Sequence, residues 1–262
     1  MGAQFDRLVD IMAKLRAPGG CPWDRAQSRR DLKPYLLEET YEVLDAIERD
    51  DTADMCEELG DLLLQVVFHA QIGREENRFD IEAVCRSINE KLIRRHPHVF
   101  GEEKADTPEK VLENWESIKK REKNGKSALG GVPKALPALL KAYRLQQKAA
   151  RVGFDWEESG PVLDKVEEEW SEFKAAVGTR KPEEIREELG DFLFSVVNLS
   201  RFLGLDPEDT LQQANAKFAG RFREMEEEAR TRGVDIHSLD LEGLDELWQR
   251  VKSREGAESG GP

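Results

Sequence analysis

Acidic residues at helical spacing are the feature of this sequence best suited to chemistry. Glu39 and Glu42 are three residues apart, so they lie on nearly one face of a helix. Glu58 and Asp61 have the same spacing, and each pair lies beside a stripe of apolar residues. Packing the two helices through those stripes brings the four carboxylates together. Like charges that close repel one another unless a cation binds between them, and Mg²⁺ prefers carboxylate, water and phosphate oxygens.

The alternative for a single acidic pair is an ordinary solvated helix surface, because Glu is a good helix former. Two observations favour a metal site instead. Each ExxD pair lies in an otherwise apolar segment, where acids are unfavourable, and both pairs occur a second time along the chain. The second set lies 130 residues further on and consists of Glu168, Glu169 and Glu172, then Glu187, Glu188 and Asp191.

The repetition extends beyond the acidic residues. Matching residues follow in the same order at spacings of 126 to 133, and they include Trp23 with Trp156, Asn89 with Asn215, Lys91 with Lys217, Arg95 with Arg221 and Trp115 with Trp248. Short insertions in loops account for the small differences in spacing. The pattern therefore predicts two homologous domains.

The apolar residues recur with helical periodicity, and we find no convincing alternating strand pattern. Residues 123–135, KNGKSALGGVPKA, have the small and polar composition of an interdomain linker. We predict an all-α fold with two tandem helical-bundle domains, residues 1–122 and 136–262, joined by that linker.

Composition restricts the partners and the cellular location. The chain has 54 acidic and 40 basic residues and a net charge of −14, so it should repel long nucleic acids. Its apolar runs are shorter than the roughly 20 residues that span a bilayer, and its N-terminus does not resemble a signal peptide. The three cysteines have no CxxC spacing. We therefore expect a cytoplasmic protein that binds neither membranes nor long nucleic acids.

A family resemblance follows from four segments. LEETYEV followed by EELGDLLLQVV, with GGCPWD upstream and RRHPHVF downstream, closely resembles the MazG nucleoside triphosphate pyrophosphohydrolases, which belong to the all-α NTP pyrophosphatases. The resemblance covers nearly the whole chain, including the tandem arrangement. It implies hydrolysis of nucleoside triphosphates, ATP among them, to the monophosphate and pyrophosphate. It also implies a Mg²⁺ cofactor, for which Mn²⁺ is an alternative.

The resemblance also implies roles for individual residues. Water would attack the α-phosphorus, and Glu168 or Glu38 would orient or deprotonate it, although both could be plain solvated residues. The metal ligands would be Glu169, Glu172, Glu188 and Asp191 in the second domain and Glu39, Glu42, Glu58 and Asp61 in the first.

Basic and aromatic residues are candidates for substrate contacts. Lys217 and Arg221 are four apart on a predicted helix, as are their first-domain counterparts, so each pair could hold phosphates. The alternative is a solvated basic helix. A tryptophan could stack on any base, which favours broad base tolerance, or could belong to a core. The candidate substrate-binding residues are Lys165, Lys217, Arg221 and Trp248, with Lys91, Arg95 and Trp115 in the first domain.

The resemblance favours the second domain as the hydrolase and the first as a regulatory or structural domain. It also implies a homodimer, in which the partner subunit could supply nucleotide contacts. Two alternatives stay open. One is an enzyme specialised for a single nucleotide. The other is a helical interaction module whose acidic clusters dock a regulatory protein partner.

Overall fold

The described residues fold mainly into helices. The computed structural model describes residues 2–122 and 127–258, so residues 123–126 of the predicted linker lie outside the described residues, as do positions 1 and 259–262. Within the described ranges no strand occurs, and the predicted all-α fold is confirmed. The chain divides into two compact units, Met1–Asn124 and Gly125–Pro262. The exact domain limits stay predictions.

The first unit is organised around a pair of long helices. The shorter helix of the pair is α3 (Lys33–Glu48) and the longer is α4 (Thr52–Glu75), and α1 (Gly2–Arg16) also packs on α4. Asp51 begins α4 by accepting hydrogen bonds from the main-chain N–H groups of Ala53 and Asp54, both at 3.1 Å. The helices are α1 (Gly2–Arg16), α2 (Pro22–Ala26), α3 (Lys33–Glu48), α4 (Thr52–Glu75), α5 (Ile81–Arg95), α6 (Pro97–Phe100) and α7 (Pro108–Glu122).

The second unit repeats this central pair. Helix α9 packs along α10, α8 packs on α10, and α11 packs on α12. Arg180 ends α9 in the left-handed conformation, with φ of 58°, and Pro182 begins α10 two residues later. The helices are α8 (Ala138–Ala150), α9 (Ser159–Thr179), α10 (Pro182–Phe202), α11 (Pro207–Thr231) and α12 (Leu241–Glu258), with a 3₁₀ turn at Ile236–Ser238.

Each unit has its own apolar cluster. In the first unit the cluster contains residues of α1 and α4 together with Leu32. Its members are Met12, Leu32, Val67, Phe68 and Ile72. In the second unit, α11 and α12 enclose Met225, Ala229, Leu247 and Val251. Among the described residues, no helix is long and apolar enough to cross a membrane.

Two neighbouring residues on α1 test the first cluster. Met12 is 2% exposed whereas Ile11 is 45% exposed. Met12→Ala leaves a cavity among packed apolar side chains, so we expect it to lower the free energy of unfolding by about 2–5 kcal/mol. Ile11→Ala should change that free energy by only about 0.5 kcal/mol. Urea unfolding followed by circular dichroism measures both, and equal losses would contradict this packing.

Candidate metal centre

The second unit brings acidic side chains of two helices together. Glu169 and Glu172 lie on α9 and Glu188 lies on α10, and one carboxylate oxygen from each lies within 4.8 Å of the others. The spacing of three residues places the first two on one face of α9, and the packing of α9 along α10 places the third opposite them. Three carboxylate oxygens at this separation can hold a hard divalent cation.

The first unit has an equivalent cluster with a different membership. Glu39 on α3 and Glu58 and Asp61 on α4 each offer a carboxylate oxygen within 4.8 Å of the others. The fourth predicted ligand, Glu42, lies outside that group, but it is close enough to the Glu39 carboxyl to raise its pKa. In the second unit the fourth ligand is Asp191, which lies beside Glu169 in a neighbouring pocket. Each predicted ligand set therefore converges on one α-helical pair.

The clusters carry the electrostatic signature of crowded carboxylates. Burial raises the pKa of Glu188, and the charges of Glu172 and Asp191 raise it further. Burial and the charge of Asp61 raise the pKa of Glu39 in the same direction. The pKa of Glu58 is also raised, first by burial. Each cluster therefore favours binding of a proton or a cation, and a divalent cation neutralises more of the charge.

Lys165 distinguishes the second cluster from the first. Its Nζ lies 2.8 Å from Glu169 and 2.9 Å from Glu168, one helical turn further along α9. These hydrogen bonds, with Glu169 the larger contributor, raise the pKa of Lys165. The matching position in the first unit, 130 residues earlier, is Tyr35. At this position the second cluster therefore has a positively charged side chain, whereas the first has a neutral one.

A pocket of about 330 Å³ opens beside the second cluster. Its lining includes Glu169, Asp191 and Lys165. Most of the remaining lining is apolar or aromatic, as is typical of pockets that bind small organic ligands. The other lining residues are Leu129, Leu145, Gln146, Ala149, Phe154, Asp155, Trp156, Val162, Phe194, Ser195 and Asn198.

The predicted phosphate and base contacts of the second unit lie on a different pair of helices. Arg221 lies over the Trp248 ring, 5.6 Å from its centroid, and Trp248 packs partly buried against the Met225 cluster. Lys217 is exposed on the same helix as Arg221. Among the described pocket-lining residues none comes from α11 or α12. The substrate-binding roles of Lys217, Arg221 and Trp248 stay predictions. The packing of Trp248 agrees with the alternative that this residue belongs to a core.

In the first unit the corresponding residues are engaged elsewhere. Arg95 binds Glu122 at 2.5 Å, and Trp115 packs beside the His96 ring with 6.5 Å between centroids. Lys91 lines a shallow depression on α5. Glu38 is exposed on α3. The predicted roles of these four residues stay predictions.

Comparison with known protein families finds the same domain in each of the two units. Residues 27–100 and 158–225 match the MazG nucleotide pyrophosphohydrolase domain, and these segments contain both carboxylate clusters. The chain belongs to the MazG family. The predicted family membership and enzyme class are therefore confirmed.

Relatives that match nearly the whole chain have names of the same enzyme class. A nucleoside triphosphate pyrophosphohydrolase of Escherichia coli K12 is 50% identical over 258 residues, which cover 96% of this chain and 98% of the relative. A Thermotoga maritima protein named nucleoside triphosphate pyrophosphohydrolase/pyrophosphatase MazG is 51% identical over 253 residues, 96% of each chain. A crystal structure of a mazG-related protein from Thermotoga maritima is 32% identical, with a TM-score of 0.39 over 44% of this chain and 98% of that one.

Sequence reasoning missed part of the pocket in the second MazG domain. The sequence pattern does not indicate Gln146, Asn198 or Asp155, and it marks Trp156 only as the repeat of Trp23. Arg201 binds Asp155 through two nitrogens, at 2.9 and 2.5 Å, and so holds the α8–α9 connection against α10. The pairing joins residues 46 positions apart, and helical periodicity carries no signal for it.

The raised pKa of Glu188 predicts a pH-dependent cost of folding in this MazG domain. Its carboxyl ionises less readily in the folded than in the unfolded chain, so the cost is present above the raised pKa and disappears as the pH falls below the usual value of 4.5. In EDTA at pH 8, Glu188→Gln should therefore unfold at a higher temperature than wild type. At pH 4 the two should converge. Differential scanning calorimetry measures both temperatures.

Glu187→Gln is the matched control for that experiment. Glu187 is the neighbouring residue on α10, and its charge is the smallest of the contributors to the Glu188 pKa. It should raise the unfolding temperature less than Glu188→Gln. If Glu188→Gln destabilises the metal-free protein at pH 8, the carboxylates of the cluster do not repel one another as described.

Proposed function

We propose that this chain is a Mg²⁺-dependent nucleoside triphosphate pyrophosphohydrolase with broad base tolerance, and that its second MazG domain is the working site. Family membership and the names of the full-length relatives support the reaction. One structural observation supports the choice of domain: Glu169 belongs both to the carboxylate cluster and to the lining of the 330 Å³ pocket. A metal ion bound to Glu169 would therefore lie beside a nucleotide bound in the pocket.

The donor set suits Mg²⁺. The ligands are carboxylate oxygens, which hard cations prefer, and their mutual repulsion is relieved by a divalent charge. Glu169, Glu172, Glu188 and Asp191 would hold the metal, and the same residues would accept Mn²⁺. When bound, Mg²⁺ would neutralise the triphosphate and polarise its phosphoryl oxygens.

The side chains around the cluster would position the reactants. Lys165 contacts Glu168 and Glu169, and its Nζ would exchange one of these contacts for a phosphate oxygen of the substrate. Glu168 would then be free to accept a proton from the attacking water. A bond forms between the water oxygen and the α-phosphorus, the bond from that phosphorus to the α–β bridging oxygen breaks, and pyrophosphate leaves.

The first MazG domain would have a regulatory or structural role. Its carboxylates would still bind a cation, but Tyr35 stands where the second domain has Lys165. The amide nitrogen Nε2 of Gln65 also donates to Glu39, at 3.4 Å. The equivalent residues Glu38, Lys91, Arg95 and Trp115 would then have no part in turnover.

We extend the proposal to the assembly. Lys217 and Arg221 would bind phosphates and Trp248 would contact a base if a partner subunit presents α11 and α12 to the carboxylate cluster of this one. A homodimer in the cytoplasm would provide that arrangement. Exposed apolar side chains on both helices of the central pair, such as Trp170 and Leu193, support burial against another surface.

Paired neutral substitutions test the reaction and its location. Glu172→Gln/Asp191→Asn should lower kcat/KM for pyrophosphate release by more than about 100-fold, because residues that only orient a metal ligand typically contribute 10- to 100-fold. Glu42→Gln/Asp61→Asn, the equivalent pair in the first domain, should retain activity within a few-fold. The assay uses ribo- and deoxynucleoside triphosphates with Mg²⁺, Mn²⁺ or EDTA.

Two further results define the outcome. Reaction in ¹⁸O-labelled water should place the label in the monophosphate, since water attacks the α-phosphorus. Release of pyrophosphate in EDTA would refute the metal dependence, and loss of activity in the first-domain pair alone would move the working site. If folded wild-type protein releases no pyrophosphate from any triphosphate, the hydrolase proposal fails and the docking alternative takes its place.

A further inference from the structure

Two carboxamide side chains in the pocket of the second domain are each held at one end. Gln146, which is 7% exposed, donates from Nε2 to the main-chain oxygen of Phe194 at 2.7 Å. Its Oε1 is buried and has no hydrogen-bond partner within the described ranges. Asn198 accepts from Arg201 at Oδ1, at 3.0 Å, so its NH₂ group is the end available to a ligand. Both residues line the pocket.

The unpaired oxygen of Gln146 needs an explanation, because a buried acceptor without a partner costs free energy. Its orientation is determined, since turning the amide over would place Oε1 against the Phe194 oxygen instead of donating Nε2 to it. A ligand that brings an N–H group into the pocket would satisfy it. The carboxylates of Glu169 and Asp191 line the same pocket, so a cation bound to them could hold the charged end of the same ligand.

The first domain shows that the fold does not require an amide at the position of Asn198. The positions 130 residues before Ser195 and Asn198 are Gln65 and Phe68. Gln65 reaches the Glu39 carboxylate, and Phe68 belongs to the apolar cluster of the first unit. The same helical pair therefore folds with larger side chains at both positions. Smaller polar residues in the second domain leave space and hydrogen-bonding groups that serve a ligand.

The rim of the pocket is suited to a flat ring. Trp156 and Phe154 lie on the α8–α9 connection, and the Asp155 between them is bound by Arg201, which also holds Asn198. One guanidinium therefore positions both the aromatic segment and the amide. Aromatic faces combined with amides of defined orientation are the usual way in which proteins bind a single unpaired base.

We propose that this pocket receives the nucleobase and that Gln146 Oε1 accepts an N–H hydrogen bond from the base edge, while the Asn198 NH₂ group donates to the neighbouring acceptor. This inference rests on the proposed function, because the substrate is taken to be a nucleotide. Every standard base has an N–H next to an acceptor on its Watson–Crick edge, so the two amides select for that edge without selecting one base. Bases without an N–H there are disfavoured.

The test compares two substrates that differ in one N–H group. ATP has an amino group at position 6 of the purine, and purine riboside triphosphate has hydrogen on carbon instead. For wild type, KM for purine riboside triphosphate should be about 3- to 10-fold higher, the range of one neutral hydrogen bond, with kcat nearly unchanged. Gln146→Met should raise KM for ATP by a similar factor and remove the preference.

Gln147→Met is the matched control, since the neighbouring Gln147 accepts from Arg144 at 3.1 Å and does not line the pocket. It should retain the preference for ATP. Equal KM values for the two substrates in wild type overturn the inference even if Gln146→Met does not fold. A preference that persists in a folded Gln146→Met protein also overturns it.

Binding of the reaction products separates this inference from the proposed function. Isothermal titration of AMP and purine riboside monophosphate needs no turnover, and the same 3- to 10-fold preference should be present in wild type and absent in Gln146→Met. If wild type releases no pyrophosphate but still prefers AMP, the hydrolase proposal fails and the pocket assignment stands. If pyrophosphate is released but neither assay shows a preference, only the pocket assignment fails.

Discussion

The repulsion among carboxylates on two packed helices is the constraint on which the site depends. Helix packing brings carboxylate oxygens of the acidic side chains within 4.8 Å of one another. This proximity costs free energy of folding, because burial and neighbouring charges disfavour the ionised carboxylate and so raise the pKa of Glu188. The apolar contacts of the helical pair must outweigh that cost in the metal-free protein. A bound cation removes the cost, so metal binding and the stability of the helical pair are linked.

The two domains relieve this repulsion differently. In the second, Lys165 lies between Glu168 and Glu169, so part of the negative charge is already compensated by a side chain that can also meet phosphate. In the first, Tyr35 provides no such charge, and Gln65 contacts Glu39 through an amide. The same helical framework therefore supports one cluster with a neighbouring basic group and polar pocket, and one whose surroundings are filled by larger side chains.

The basic and aromatic residues of α11 and α12 are positioned by a separate apolar cluster. Arg221 and Trp248 contact one another across that pair of helices, and the cluster around Met225 fixes the pair's packing. The carboxylate pair α9–α10 is held by its own contacts. Two groups of predicted site residues thus belong to two packing units, α9–α10 and α11–α12, and their meeting at one ligand stays a prediction.

The sequence by itself determined the helical fold, the duplication and the acidic clusters, because helical periodicity and short repeated segments are local properties of the chain. Helical spacing predicts that Glu169, Glu172 and Glu188 converge, and they do, whereas their role as metal ligands comes from the family resemblance and stays a prediction. Only the tertiary structure decided that Gln146 and Asn198 share a pocket with them and that Arg201 holds Asp155. Those contacts join positions that are far apart in the sequence. Each also depends on which polar atoms of the amide or guanidinium already form hydrogen bonds, and helical periodicity does not show this.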